Sequence, residues 1–413
     1  MQKTNEFKKK MNLVKQAIPD LTLEATKKIV KNQIEIFAEK VWQQPDKIIW
    51  TNMVMPVELF YAAGLTPINM ELAAGWLATL GLSKKYIMLS ESMGFSSTLC
   101  SYHKAVLGVC ENGDLPTPEL AAITSHLCDG GNGVVNHFVH RYQTKSFIVN
   151  VPYHNNDLNI SYILQQYEDL VKWLEIQTGK NLSTERIITA LELSNTAREY
   201  WLKASELRKG DLLFNGYLAL RNLFGATFLF GSELGVEVAK AYYQQLCDKK
   251  AMKEQDNRDE KQNVKRILWI HFAPLYANYL MEYLEEQLNC RIVFDITSHI
   301  YWPEYDIKRP FESLAQRTLS HFYMGEPHNR KMLYTDLVHT FKIDGIIHFM
   351  HNGCKAIPGW AWQVRRAAEE ENIPYLELSG DCIDPRGFSE KQMILRLEAF
   401  SEALRGDEFV FRR

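Results

Sequence analysis

The spacing of apolar residues divides the chain into helical and strand-forming stretches. Apolar residues recur at helical spacing up to a turn at Gln44-Pro45-Asp46, which predicts an N-terminal helical segment over residues 1–45. Short apolar runs and Pro/Gly-rich turns then alternate with helix-like stretches, the runs being KIIWTNMVMP (47–56), YIMLS (86–90) and SFIVNVP (146–152). This alternation predicts a parallel α/β domain over residues 46–156.

A helical connector and a second α/β domain are predicted in the remainder. Residues 157–250 carry an i, i+3, i+4 apolar stripe, with Gly179 placed to end the first helix. Residues 251–265 are polar and charge-mixed, which predicts a linker or exposed loop. Residues 266–413 contain four apolar runs that predict strands, RILWIHF (266–272), RIVFDI (291–296), IDGIIHFM (343–350) and IPYLELSG (373–380). Helices are predicted between them at YANYLMEYLEEQL and WAWQVRRAAEEE. We therefore expect an α/β protein with two doubly wound, Rossmann-like parallel sheets.

Composition narrows the class of protein. Hydrophobic residues make up 46% of the 413, enough for more than one core, and the net charge of −3 argues against a nucleic-acid partner. The charged N-terminus has no apolar signal region, and no stretch reaches the roughly 18 apolar residues of a membrane span. A soluble cytoplasmic protein without a membrane partner is expected.

The cysteines are the candidate chemistry. Seven cysteines in a long chain without a signal peptide argue against a disulfide framework. Three lie without metal-like context and are expected to be packing thiols: Cys110, Cys247 and Cys290. Four others lie in glycine-containing loops, three of them after predicted strands, where α/β folds place their chemistry: Cys100, Cys128, Cys354 and Cys382. The pattern alone leaves buried thiols, zinc and an iron–sulfur cluster open.

Several segments, in order along the chain, resemble motifs of the 2-hydroxyacyl-CoA dehydratase/benzoyl-CoA reductase family. The segments are MPVELFYAAGLTPINME (55–71), LCSYHKAVLG (99–108), HLCDGGN (126–132), PFESLAQRTLSHFYMGEP (310–327), IDGIIHFMHNGCK (343–355) and ELSGDCIDPRGFSEKQMILRLEAFSEAL (377–404). Because the match is co-linear, it is more specific than any one cysteine.

The resemblance implies a set of site residues. Cys100, Cys128 and Cys354 would ligate one 4Fe-4S cluster between the two domains, leaving one iron without a protein cysteine. Cys382 is a possible fourth ligand, or a loop thiol near the cluster that does not bind it. Glu58 and Glu71 are candidate catalytic residues that would orient substrate or move protons, with capping or ion pairing as their structural alternative.

The resemblance also implies a reaction and partners. One low-potential electron added to the thioester of a 2-hydroxyacyl-CoA gives a ketyl radical anion, which expels the 2-hydroxyl group. The expected partners are the acyl-CoA substrate, a sister subunit (or a second copy) and an ATP-dependent iron–sulfur activator, since the sequence contains no GxxxxGK[ST] motif. Such enzymes belong to the anaerobic fermentation of amino acids.

Three other functions stay open from sequence. The first is a benzoyl-CoA reductase-type enzyme or a reductase with a larger, bridged cluster. The second is a non-catalytic subunit that holds a cluster for a partner. The third is a zinc protein that uses the same thiols. His103, His126 and His351 flank the cysteines, and each could donate to a cluster sulfur, shuttle a proton or serve the structure alone.

Overall fold

Two parallel four-stranded sheets form the framework of the computed structural model, which describes residues 5–17, 23–210, 212–220, 222–255 and 263–406. The first sheet has the order β2-β1-β3-β4, with β1 at Ile48–Thr51, β2 at Thr66–Asn69, β3 at Leu120–Thr124 and β4 at Lys145–Val149. The second has the order β6-β5-β7-β8, with β5 at Lys265–Ile270, β6 at Cys290–Asp295, β7 at Gly345–His351 and β8 at Tyr375–Gly380. The predicted fold class is confirmed.

The two sheets share one topology. In each sheet, the first strand of the chain lies second from one edge, and the next strand forms that edge. The third and fourth strands are then added on the other side of the first strand. The strand order therefore reverses between β1 and β3 in the first sheet, and between β5 and β7 in the second. Loops at the carboxyl ends of strands beside such a reversal form the crevice in which doubly wound folds bind ligands.

Helices cover both sheets and connect them. The N-terminal helices are α1 (Glu6–Ala17), α2 (Glu24–Glu35) and α3 (Val41–Gln43), with a π-helical turn at Ile36–Lys40. The first domain contains α4 (Glu58–Ala62), α5 (Met70–Thr79), α6 (Ser83–Ser92), α7 (Ser101–Glu111) and α8 (Asp129–Tyr142). The connector contains α9 (Asp157–Thr178), α10 (Thr184–Lys209), α11 (Asn222–Thr227) and α12 (Glu233–Gln255). The second domain contains α13 (Leu280–Glu286), α14 (Pro310–Leu319), α15 (Pro327–Phe341), α16 (Ala356–Glu370) and α17 (Glu390–Arg405).

Two boundaries in the connector test the sequence reading. Gly179 ends α9 in the left-handed conformation with φ of 65°, as predicted. The polar segment 251–265 is shorter than predicted, because α12 continues to Gln255 and β5 already begins at Lys265; residues 256–262 lie outside the described residues. The other segment boundaries remain predictions. Within the described part of the chain, no helix combines the length and apolar character needed to cross a bilayer.

One strand prediction was wrong. YIMLS (86–90) lies inside helix α6, where Tyr86, Ile87 and Ser90 are buried at helical spacing. A short apolar run cannot by itself distinguish a buried strand from a buried helix, and the flanking Ser-Lys-Lys and Glu-Ser belong to the same helix. The strands that the prediction missed are β2 and β3. Strand β2 contains Pro67, which an edge strand tolerates.

Buried contacts join the two domains. One apolar cluster runs from Trp50 and Ile123 of the first sheet to Trp269 and Phe349 of the second. Polar contacts cross the same boundary: the Ser101 hydroxyl donates to Asp381 Oδ1 at 2.6 Å, and the Ser83 hydroxyl to the carbonyl of Ile383 at 2.6 Å. Asp381 and Ile383, which follow strand β8, are therefore held against the first residues of helices α7 and α6.

Candidate functional site

Cys128 and Cys354 occupy corresponding positions in the two domains. Cys128 follows β3 and immediately precedes α8, while Cys354 follows β7 and lies two residues before α16. Strands β3 and β7 are the strands beside the two reversals of strand order. The shared topology therefore places one thiol from each domain at its own switch point.

Cys100 lies at the N-terminus of a third helix. It is the N-cap residue of α7, and the N–H groups of His103 and Lys104 donate to its carbonyl. This geometry corrects the expectation that Cys100 follows a strand, because the preceding element is helix α6.

Each of the three sulfur atoms receives backbone N–H groups from the first turn of its own helix. The donors are Tyr102 for Cys100, Gly130 and Gly131 for Cys128, and Ala356 and Ile357 for Cys354. Ile357 N lies 3.5 Å from Cys354 Sγ. Helix N-termini stabilise anionic sulfur through these donors and through the helix dipole.

The three thiols are close enough to affect one another electrostatically. Burial raises the pKa of Cys100 well above its usual value, and the charges of Cys354 and Cys128 raise it further. Burial also raises the pKa of Cys354, with Cys128 contributing in the same direction. Yet no group of three His, Cys, Asp or Glu side chains among the described residues converges to hold one small metal ion. The three thiols instead border open space: Cys128 and Cys354 line one cavity, and Cys100 and Cys128 line an adjoining cleft.

Glycines keep that space open. A Cβ at Gly353, whose φ is +81°, would lie 3.1 Å from Cys100 Cα, and a Cβ at Gly130 would lie 3.3 Å from Cys128 Sγ. A side chain at Gly353 would therefore press on the Cys100 backbone, and one at Gly130 would meet the His103 ring at 2.7 Å before it met the Cys128 sulfur. Three thiols with backbone N–H donors and a glycine-lined approach fit an iron–sulfur cluster, whose ligands are thiolates and whose potential depends on hydrogen bonds to sulfur.

His351 contacts the site in a single tautomer. The backbone N–H of Cys382 donates to His351 Nδ1 at 3.0 Å, so Nδ1 is an acceptor without a proton. In the neutral ring the proton is then on Nε2, which lies 3.3 Å from Cys100 Sγ. Burial lowers the pKa of His351, which favours this neutral form. His351 is therefore arranged to donate a hydrogen bond to Cys100.

Cys382 lies behind this histidine. Its side chain is fully buried, and Sγ donates to the carbonyl of Phe272 at 3.5 Å. It does not line the cavity or the cleft described below. This placement favours the alternative in which Cys382 is a loop thiol whose backbone, not its sulfur, serves the site. Cys110 and Cys290 are also buried, in agreement with a packing role.

A partly enclosed cavity and a more open cleft meet at the cysteines. The cavity, of about 130 Å³, is lined by Cys128 and Cys354. The cleft, of about 850 Å³, is lined by Cys100 and again by Cys128. Leu127 lines both and has a φ of 74°, which is unusual for a side chain of this size and typical of functional sites. A ligand entering through the cleft could therefore reach the cavity past the thiols.

Glu58 lies in a buried ion pair. Its Oε1 accepts hydrogen bonds from the Arg317 guanidinium, from the Ser194 hydroxyl at 2.6 Å and from the Tyr305 hydroxyl at 3.1 Å. Arg317 in turn lines the cavity. The geometry supports the ion-pairing alternative for Glu58, since it contacts the cavity only through Arg317.

Glu71 lies on the first turn of α5, near Cys128. Burial raises its pKa to about 7, although hydrogen bonds from Asn69 and from the backbone N–H of Met53 oppose the shift. Met53 lines the cavity, and the charge of Glu71 contributes to the raised pKa of Cys128. Of the two predicted carboxylates, Glu71 is thus the one poised to exchange a proton near neutral pH.

The sequence reasoning missed several cavity residues. Arg317, His321 and Tyr323 line the cavity from α14 and the loop after it. The sequence feature that could have indicated them is the segment PFESLAQRTLSHFYMGEP (310–327). It resembles a family segment, but the resemblance assigns no role to any one of its residues.

The fold and the candidate site together define a class of protein. Its members have two α/β domains and three thiols at helix starts, two of which follow strands of the two sheets. Comparison with known families identifies the particular family. The model of the family described as 2-hydroxyglutaryl-CoA dehydratase, D-component, matches residues 52–404, and the chain belongs to this family. The recognition made from the motifs is confirmed.

Curated relatives agree. The chain is 24% identical over 385 residues to the (R)-phenyllactyl-CoA dehydratase alpha subunit of Clostridium sporogenes, covering 88% of this chain and 90% of the relative. It is 23% identical over 379 residues to the (R)-2-hydroxyisocaproyl-CoA dehydratase alpha subunit of Clostridioides difficile, covering 89% and 92%. It is 23% identical over 310 residues to the (R)-2-hydroxyglutaryl-CoA dehydratase subunit alpha of Acidaminococcus fermentans, covering 71% and 62%. The predicted dehydratase-like, hydro-lyase class is confirmed.

Proposed function

We propose that this chain is the cluster-holding subunit of a 2-hydroxyacyl-CoA dehydratase, which removes water from a 2-hydroxyacyl-CoA. The observation that supports the proposal is that Cys100 and Cys128 are N-cap residues and Cys354 lies two residues before a third helix, all beside a cavity that opens toward a cleft. These three residues would hold a 4Fe-4S cluster. Family membership and the dehydratase names of the relatives support this assignment.

A cluster held by the three cysteines would lend one low-potential electron to the substrate thioester. The resulting substrate ketyl radical anion would expel the 2-hydroxyl group as hydroxide, and loss of a β-proton with return of the electron would complete the removal of water. The residues of the chain prepare that step. His351 donates its Nε2 proton toward Cys100, and the first-turn N–H groups donate to all three sulfurs. Glu71, with a pKa of about 7, holds or releases a proton beside Cys128. The aromatic wall of the cavity excludes water from the reacting carbon.

The proposal includes two protein partners and a location. The relatives are named as alpha subunits, which supports a sister subunit for this chain. The electron would come from a separate ATP-dependent iron–sulfur activator, because the 413 residues contain no P-loop motif. Oxygen-sensitive chemistry of this kind suits the cytoplasm of an anaerobic cell.

Anaerobic purification with iron analysis and EPR tests the proposal. We expect about four iron atoms per chain, and loss of the cluster signal in Cys100→Ser, Cys128→Ser and Cys354→Ser. The matched control is Cys247→Ser, because Cys247 lies on α12 away from the cavity and the cleft. Wild-type iron content in all three site variants would refute the ligand assignment. About eight iron atoms would favour the bridged-cluster reductase instead.

Dehydration assays test the activity separately. The chain would be combined with candidate sister subunits, the activator and ATP, and loss of water from 2-hydroxyacyl-CoA would be followed. Turnover that needs all components is the expected result. A protein that binds iron fully but supports no turnover in any combination would favour the non-catalytic partner subunit.

A further inference from the structure

The cavity lined by Cys128 and Cys354 begins at these two thiols and extends away from the cleft. Its walls come from both domains, because Met53 and Cys128 belong to the first while Phe272 and Cys354 belong to the second. Helix α11 of the connector closes one side with Phe224 and Thr227. A thioester carbonyl placed beside Cys128 and Cys354 would therefore direct the rest of its acyl chain into this cavity.

The walls of the cavity are largely apolar and aromatic, with Met53, Phe224, Phe228, Phe272, Trp302 and Phe322 among them. Its size also restricts the occupant. A protein cavity of about 150 Å³ holds one benzene ring, and this one measures about 130 Å³. This volume matches a branched alkyl group or a single ring.

The charge in the cavity is already neutralised. Among the described residues that line it, Arg317 is the one with a permanent charge. Its guanidinium donates to Glu58 and to the Tyr305 hydroxyl, and it lies 4.6 Å from the centre of the Trp302 ring. A ligand carboxylate would have to share this guanidinium with Glu58, so two buried carboxylates would compete for one cation.

The histidines of the cavity provide no other cation. Burial lowers the pKa of His299 to about 4, and it lowers the pKa of His271 and His321 well below the usual value, with His126 and Arg317 adding to the effect at His321. All three rings are neutral at pH 7. An anionic side chain would thus lose its hydration without gaining a counter-ion.

Building on the proposed dehydratase function, we propose that this cavity is the side-chain pocket of the substrate. Its ligand is an uncharged, apolar acyl side chain, either branched alkyl or a single aromatic ring. A 2-hydroxyacyl-CoA that ends in a second carboxylate is excluded. Contact with the aromatic walls favours binding of an apolar side chain, and the Glu58–Arg317 ion pair disfavours binding of a second carboxylate.

Equilibrium binding to the anaerobically reconstituted protein tests this without any turnover. The probes are 4-methylpentanoyl-CoA, 3-phenylpropanoyl-CoA, glutaryl-CoA and free CoA, measured by calorimetry. Burial of an isobutyl or phenyl group predicts binding at least about tenfold tighter than that of glutaryl-CoA. Glutaryl-CoA that binds equally well or better would overturn the pocket assignment and leave the dehydratase proposal intact. If no acyl-CoA bound more tightly than CoA, the proposed function itself would fail.

A filled cavity provides the second test. Thr227→Phe places a ring in the cavity, and the matched control is Thr196→Phe on the exposed face of α10. We expect Thr227→Phe to weaken 3-phenylpropanoyl-CoA binding about tenfold or more, with CoA binding and the melting temperature close to those of the control. Unchanged affinity in a folded Thr227→Phe variant would show that the side chain binds elsewhere.

Discussion

His351 Nε2 lies 3.3 Å from Cys100 Sγ, and this contact joins the end of strand β7 in the second domain to helix α7 in the first. The ring cannot choose its tautomer freely, because the N–H of Cys382 occupies Nδ1. A hydrogen bond to a cluster sulfur raises the reduction potential by stabilising the reduced, more negative state. In the proposed cluster, the second domain would thus influence a ligand that the first domain supplies.

His351→Asn tests this influence. Asparagine retains an acceptor for the Cys382 N–H and removes the donor to Cys100. We expect the midpoint potential to fall by about 60 mV, since a hydrogen bond to a charged group is worth roughly 1.5 kcal/mol and 59 mV corresponds to about 1.4 kcal/mol for one electron. An EPR-monitored redox titration measures it. The control His339→Asn lies on α15 with its side chain 66% exposed; a potential that moves equally in both variants would contradict the assignment.

Gly353→Ala should impair cluster incorporation. Alanine there meets two penalties, the positive φ of +81° and a Cβ only 3.1 Å from Cys100 Cα. Gly94→Ala is the matched control, because its φ is +95° and no atom lies within 4 Å of the added Cβ. Both variants should lose about 1 kcal/mol of stability from strain, but only Gly353→Ala should lose iron. Equal iron content in the two would mean that Gly353 serves the turn alone.

The raised pKa of Glu71 makes folding stability depend on pH. The folded carboxyl has a pKa of about 7 and the unfolded one about 4.5, so the folded state binds more protons between these values. Unfolding free energy therefore falls as pH rises through this window, by about 3 kcal/mol. Relative to wild type, Glu71→Gln should become more stable from pH 5 to pH 8 in urea titrations. A constant difference across that range would contradict the shift.

Glu285 separates this stability effect from catalysis. Burial raises its pKa to about 7 as well, but its Oε1 accepts from Ile292 N at 2.8 Å, behind strand β6 and outside the cavity. Both Glu→Gln variants should show the same pH trend in stability. Only Glu71→Gln should remove an inflection near pH 7 from the kcat/KM profile of dehydration. An unaltered profile in Glu71→Gln would end its role as proton carrier.

Glu58→Gln should be strongly destabilising. It leaves the buried Arg317 without its counter-charge, which typically costs about 3–5 kcal/mol. The control Glu199→Gln removes an exposed partner of Lys203, with side chains 62% and 47% exposed, and should cost less than about 1 kcal/mol. Urea unfolding compares the two. A loss below 1 kcal/mol in Glu58→Gln would show that the pair contributes little to the fold.

The sequence predicted all four strands of the second sheet, because each of them is an apolar run that ends beside glycine or a turn. It failed at α6, where four apolar residues fit either period, and at β2, where Pro67 suggested a turn. For the site, it pointed to the glycine-containing segments around three thiols, whose role as ligands stays a prediction. The Glu58–Arg317 pair and the Cys382–His351 hydrogen bond were beyond it, because each joins residues that only tertiary folding brings together.

The origin of the three thiols also sets an order of events during biosynthesis. Cys100 and Cys128 are made early, with the first sheet, whereas Cys354 leaves the ribosome only after strand β7. Under the proposed ligand assignment, a nascent chain would carry only two of its three ligand thiols through the synthesis of the connector. Maturation factors that deliver iron and sulfide would find the full set only after strand β7 has been made, so loading would follow the folding of both sheets.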